Sequence, residues 1–181
     1  MDRYAVNMGY SIHDLIERKK YFFGQDIFRV FLILYFSIIA SLFKRNRFNL
    51  YLRIGSLYLN LKNITKSREY YERSNRLVKN DEQYMRILMC LGNLSYATGS
   101  YKEAILNYEK ALNISRYKTT ILSNLAFAYE AVGENDKALK YAQDSIEISK
   151  QESDLGHTIL PENNVRDLII RLKEKLPRVS R

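Results

Sequence analysis

A fixed period of 34 residues constrains this chain more than any other feature. Leu91-Gly92-Asn93-Leu94 recurs 34 positions on as Leu125-Ala126-Phe127-Ala128. Tyr101-Lys102-Glu103-Ala104-Ile105 recurs as Asn135-Asp136-Lys137-Ala138-Leu139, and Glu109-Lys110-Ala111-Leu112-Asn113-Ile114-Ser115 as Gln143-Asp144-Ser145-Ile146-Glu147-Ile148-Ser149. A period of this length is one helix–turn–helix unit, which cannot bury its apolar side alone and stacks on copies of itself. Such stacks make extended binding surfaces rather than enclosed catalytic pockets.

Two units carry the pattern most fully. Residues 85–118 place Leu88, Leu91, Gly92, Gly99, Tyr101, Ala104, Tyr108 and Ala111 at its marker positions. Residues 119–152 place Leu122, Leu125, Ala126, Tyr129, Gly133, Ala138, Ala142 and Ser145 there. A weaker unit over 48–81 has Tyr51, Ile54, Gly55, Tyr58, Ser67, Tyr71 and Ser74; its offset to the next is 37, so about three residues near Glu82-Gln83-Tyr84 are inserted between units. The pattern resembles the tetratricopeptide (TPR) repeat over about 104 of the 181 residues. The closing proline of that family is missing: Lys79, Arg116 and Lys150 stand in its place.

The residue types have physical reasons. Small residues at Gly55, Gly92 and Ala126 are expected to face Ser67, Ala104 and Ala138, bringing paired backbones close. Tyr58, Tyr71, Tyr108 and Tyr129 are expected to fill gaps between hairpins. Gly99 and Gly133 sit where a helix ends in a left-handed residue; the first unit has Lys62-Asn63 there, with Asn as the next-best choice. A repeat array needs a polar-backed cap, and residues 162–176 supply one. Val165, Leu168, Ile169, Leu172 and Leu176 share a face, Pro161 precedes the helix and Pro177 stops it. Gln151 to Thr158 reads as a polar loop. The expected fold is all-α: three TPR hairpins over 48–152, a cap, and an apolar helix in front.

The resemblance implies a concave groove lined by first helices, at Leu52, Ser56 and Leu59, then Met89, Asn93 and Tyr96, then Ser123, Asn124, Phe127 and Glu130. Family members that grip a chaperone's terminal carboxylate do so with cationic groove residues. Leu52, Ser56, Thr120 and Asn124 lack that charge, which disfavours such an adaptor. The implied partner is a protein or peptide of another kind.

Residues 27–43 read IFRVFLILYFSIIASLF, twelve of the seventeen being Ile, Leu, Phe or Val, with Arg29 the only charge. Acids at Asp14, Glu17 and Asp26 and the bases that follow at once argue against a secretory signal. As the second helix of a degenerate leading hairpin, with Gly24-Gln25-Asp26 as its turn, the segment would have no polar face for water. As a membrane span it reaches about 25 Å against a core of about 30 Å. The expectation is a single transmembrane span, residues 1–26 forming a juxtamembrane segment, with Lys44, Arg45 and Arg47 at the membrane surface holding the repeats in the cytoplasm. The alternative is a soluble regulatory module that uses the same helix for dimerisation or docking.

Lysine and arginine exceed acids by nine. Residues 44–79 hold ten bases and two acids, so most of the excess directly follows the apolar segment. Lys62, Lys66, Arg73 and Arg76 fall on successive turns and form a candidate nucleic-acid stripe, but no recognition motif accompanies them, and nucleic acid is a disfavoured partner. The single cysteine, Cys90, excludes an internal disulfide. His13 and His157 lie far apart without metal-ligand spacing, and no phosphate loop, zinc motif or Ser/His/Asp pattern occurs. No enzyme, metal, cofactor or small-molecule substrate is expected. Tripeptides at Asn63, Asn93 and Asn113 match a glycosylation acceptor by chance in an Asn-rich chain.

Overall fold

A computed structural model describes residues 22–42, 46–116, 118–154 and 163–175. Every described element of secondary structure longer than a single turn is an α-helix, and no strand occurs among the described residues. The helices are α1 (Phe22–Leu42), α2 (Arg47–Asn60), α3 (Ile64–Asn75), α4 (Asp81–Ala97), α5 (Tyr101–Ile114), α6 (Thr119–Ala131), α7 (Asn135–Asp154) and α8 (Asn163–Lys175). They fall into two compact bodies, α1–α5 and α6–α8, divided between Ile114 and Ser115. In the first, α2 pairs with α3 and α4 with α5, while α1 packs along α2. In the second, α6 pairs with α7 and α8 packs on α7.

The turns of the three hairpins are built identically. Lys62, Gly99 and Gly133 have φ of 58°, 79° and 82°. Each donates its N–H to the carbonyl three residues back, and the next residue donates to the carbonyl five back, as in Asn63 to Tyr58, Ser100 to Ser95 and Glu134 to Tyr129. This double closure satisfies carbonyls that a helix end otherwise leaves open. The left-handed residue of the first turn is therefore Lys62, not Asn63. Asn63 instead caps α3, its Oδ1 accepting from the Lys66 N–H at 3.1 Å. Asn80 caps α4 in the same way through the Gln83 N–H at 2.9 Å, and Gln83 returns the favour by accepting from the Lys79 N–H at 2.8 Å. The N-terminus of α6 is closed from its own hairpin partner: Glu152 of α7 accepts from the Lys118 N–H at 2.6 Å.

Two expectations about connections change. Glu82, Gln83 and Tyr84 are not an insert between repeats but lie within α4, whose 17 residues exceed the 14 of α2. An insertion near 3.6 residues adds one turn without rotating the apolar face. Gln151–Asp154 continue α7 rather than forming a loop, and residues 155–158 lie outside the described residues. Pro161, Glu162, Leu176 and Pro177 do too; the described part of the C-terminal helix buries Val165, Leu168 and Leu172.

Close packing centres on tyrosine. Tyr71 and Tyr108 are fully buried within the first two hairpins. A Cβ placed on Gly55 would meet the Tyr71 ring, and one on Gly92 the Tyr108 ring, closer than the 3.0 Å that real side chains tolerate. For Gly92 the nearest neighbour is thus the tyrosine ring rather than Ala104; both rings pack inside their own hairpins, and Tyr71 also meets Cys90 on α4 of the next hairpin. In the third hairpin both members change together: Ala126 and Ala142, at the same sixteen-residue spacing, are both fully buried. A second lock is a serine. Ser74 Oγ donates to the Phe48 carbonyl at 2.9 Å, and Ser145 Oγ at the equivalent position donates to the Thr119 carbonyl at 3.2 Å.

Gly92→Ala should cost about 1–3 kcal/mol through overpacking. In a Tyr108→Ala background, which itself costs about 3–5 kcal/mol, the added methyl fills vacated space. A double-mutant cycle by chemical denaturation should show favourable coupling of about 1 kcal/mol or more. Lys62→Gly should relieve left-handed strain and stabilise by about 1 kcal/mol, a rise of about 2–4 °C in melting temperature by circular dichroism.

Candidate protein-binding site

In the α1–α5 body the first helices α2 and α4 lie side by side, each backed by its second helix. Positions 37 apart face one another across them: Arg86 Nη1 donates to Asn49 Oδ1 at 2.8 Å, and the Arg86 guanidinium lies 5.6 Å from the Phe48 ring centre. Further along the same face are Ser56, Met89, Asn93 and Tyr96, all half-buried. Ser56 and Asn93 also steady the buried rings. Ser56 Oγ is 3.1 Å from the Tyr71 hydroxyl, and the Tyr108 hydroxyl donates to Asn93 Oδ1 at 2.7 Å. A buried tyrosine hydroxyl needs such a partner, so part of each groove side chain's capacity serves the fold. Tyr96 is held edge-on against Tyr101 at 5.1 Å.

Leu52 and Leu59, expected to line the groove, are buried. Their apolar side chains belong to the hairpin core, and the accessible lining beside them is Asn49, Arg86 and Arg53. Sequence reasoning did not place Asn49 or Arg86 in the site. The signal was available, because the two are 37 residues apart and one turn before Leu52 and Met89.

In the α6–α8 body Ser123, Asn124 and Phe127 are also buried. Ser123 Oγ lies 3.0 Å from the Thr119 carbonyl and 2.7 Å from Ser145 Oγ; with the Ser145 proton on that carbonyl, Ser123 donates to Ser145, a network internal to the hairpin. Glu130 is 18% exposed and accepts from Arg171 at 3.1 Å and Lys175 at 3.0 Å, both on α8. The only half-accessible member of this group is thereby taken up by the C-terminal helix. A helical period places such residues on one face but does not say what covers them.

The remaining sequence candidates separate. Arg47 opens α2 and is half-buried, while Lys44 and Arg45 lie outside the described residues. The basic stripe is broken: Lys66 and Arg73 both pair with Glu69, at 3.0 and 2.6 Å, and Lys62 and Arg76 lie beyond the ends of α3. His13 and His157 lie outside the described residues. No group of three or more potential metal ligands occurs among the described residues.

Cys90 is buried on α4, and burial raises its thiol to about 11. Burial likewise lifts the Tyr71 and Tyr108 hydroxyls well above their ordinary range. Neither the thiol nor the rings are poised for nucleophilic chemistry.

The geometry defines a class: paired helical hairpins, of which the first helices α2 and α4 lie side by side with one accessible face. Comparison with known families names it. A tetratricopeptide repeat model matches residues 48–80, a second matches 119–158, and a TPR repeat model matches 92–133. The chain is built on tetratricopeptide repeats. No curated protein sequence matches it. Among solved structures it is similar to a chain of the APC/C hetero-tetramer Cut9–Hcn1, with 22% identity and a TM-score of 0.56 over 70% of this chain. It spans 23% of that structure's chain. It is also similar to MamA, with 15% identity and a TM-score of 0.54 over 79% of this chain and 85% of MamA. These likenesses show the fold.

Cys90 should not react with an aromatic disulfide reagent at pH 8 until denaturant unfolds the chain; prompt reaction of the native protein would contradict its burial. The raised groups also set an alkaline limit. The unfolded chain loses the Cys90 proton near about pH 8.5 and the Tyr71 and Tyr108 protons near about pH 10, before the folded one. Stability is full below those values and should fall as pH rises through them, and Tyr71→Phe should flatten the decline above about pH 10.

Proposed function

We propose that this chain is a non-enzymatic scaffold that recruits a peptide or short helix along the first-helix face of α2 and α4, with α1 tethering it to a membrane. TPR modules serve protein–protein interaction, and the observation that carries the site is the accessible set Asn49, Ser56, Arg86, Met89, Asn93 and Tyr96 on adjacent helices. Met89 and Tyr96 offer adaptable apolar contact, and Asn49, Arg86 and Asn93 offer directional donors and acceptors. Leu52, Leu59, Ser123, Asn124 and Phe127 are left to the fold and are not part of this proposal.

The tether rests on the apolar character of α1 and the bases that follow it. Among the described residues, no helix is long and apolar enough to cross a membrane. The proposal concerns attachment through α1. The cytoplasmic leaflet is the anionic one, which favours the cytoplasmic face for a chain with this charge.

A photo-crosslinking residue placed at Met89 or Tyr96 of the full chain should capture a discrete partner in cells of the source. The same residue at Arg68 or Leu106, on the second helices α3 and α5, should not. Equal capture from both faces would overturn the assignment of the binding face.

A further inference from the structure

Helix α1 is inside out. At 100° per residue, its exposed large side chains Ile27, Phe28, Val30, Phe31, Leu34, Tyr35 and Ile38 occupy one continuous arc of about 160°. They are 48–68% exposed. The opposite side carries the polar residues Asp26, Arg29 and Ser37. Arg29 is 14% exposed and pairs with Asp26 at 2.8 Å. Ser37 donates to the Ile33 carbonyl at 2.7 Å, and Ile33 is buried. Phe36 lies under the Arg53 guanidinium of α2, 5.5 Å from ring centre to carbon. The sequence alone offered a helix with no polar face; the structure turns Arg29 toward the protein and the apolar arc outward. A helix facing water has the reverse order.

We propose that the outward arc of α1 lies in the plane of an anionic lipid surface, with α1 still packed on α2. The proposal rests on the tether of the preceding section and specifies its geometry. A spanning helix must be surrounded by hydrocarbon or by partners that tolerate it. For α1 to span while packed along α2, α2 would have to enter the bilayer with Arg47, Asn49 and Arg53, each of which is at least partly exposed or spent on α1. An in-plane helix needs only one apolar face, sunk about 5–10 Å into the headgroup boundary. Charge chooses between lipid and a second copy. Residues 46–79, all in the body that contains α1, hold eight bases and two acids. A second copy would bring the same excess against itself, whereas an anionic surface attracts it.

The test is flotation of the full chain with vesicles of phosphatidylcholine alone and of phosphatidylcholine with phosphatidylserine. The proposal expects binding that is at least about tenfold stronger with phosphatidylserine, weakens with salt, and is released by alkaline carbonate. Phe31→Glu combined with Leu34→Glu should reduce binding at least about tenfold. Both side chains are exposed in the free protein, so helicity and melting should be unchanged. Binding that resists carbonate would keep the tether and overturn the in-plane geometry. No binding to either vesicle, with a light-scattering mass of two copies, would overturn both and leave α1 as a dimer surface.

Discussion

The contact on which the rest of the structure depends is a tyrosine ring pressed against a missing side chain. Gly55 and Gly92 leave room for Tyr71 and Tyr108, and each ring then fixes the distance between two paired helices. The ring's hydroxyl reaches the accessible face, where Ser56 and Asn93 meet it. Packing and site are thus coupled through one residue type. A change at Ser56 or Asn93 acts on the binding face and also leaves a buried hydroxyl short of its partner, a cost of about 1–3 kcal/mol.

The third hairpin meets the same demand differently. Ala126 and Ala142 replace the glycine and the tyrosine together, and hydroxyls come from serines instead: Ser123 and Ser145 share a hydrogen bond in the buried interior. Its face is correspondingly closed, with Asn124 and Phe127 buried and Glu130 tied to Arg171 and Lys175. Among the described residues expected to line a groove, those on α2 and α4 keep half-exposed polar side chains.

Much of the fold was legible in sequence because it is governed by spacing. The recurrence of 34 residues, and Gly99 and Gly133 at helix ends, follow from backbone geometry alone. The paired change from Gly–Tyr to Ala–Ala at a constant sixteen-residue separation was also present, but a pattern does not say which ring meets which glycine. The site was less legible. Leu52, Leu59, Ser123, Asn124 and Phe127 share a helical face with residues that are accessible, and only their burial removes them. Lys62 in a left-handed conformation was hidden because the neighbouring Asn63 is the more usual choice, yet capping α3 claims that asparagine. For α1, composition announced an apolar helix, but the direction of its arc depends on the side that packs against α2.

That direction is the central claim about how this TPR module is held, and cysteine scanning along α1 tests it most directly. Buried Cys90 serves as a silent background. Single cysteines at Ile27, Phe31, Leu34, Ile38, Arg29 and Ser37 of the full chain would be labelled with a water-soluble maleimide, with and without phosphatidylserine vesicles. The account predicts fast labelling at Ile27, Phe31, Leu34 and Ile38 that vesicles suppress, and slow labelling at Arg29 and Ser37 that vesicles leave unchanged. Protection spread evenly around the helix, or fast labelling at Arg29 and Ser37 in the free protein, would contradict it.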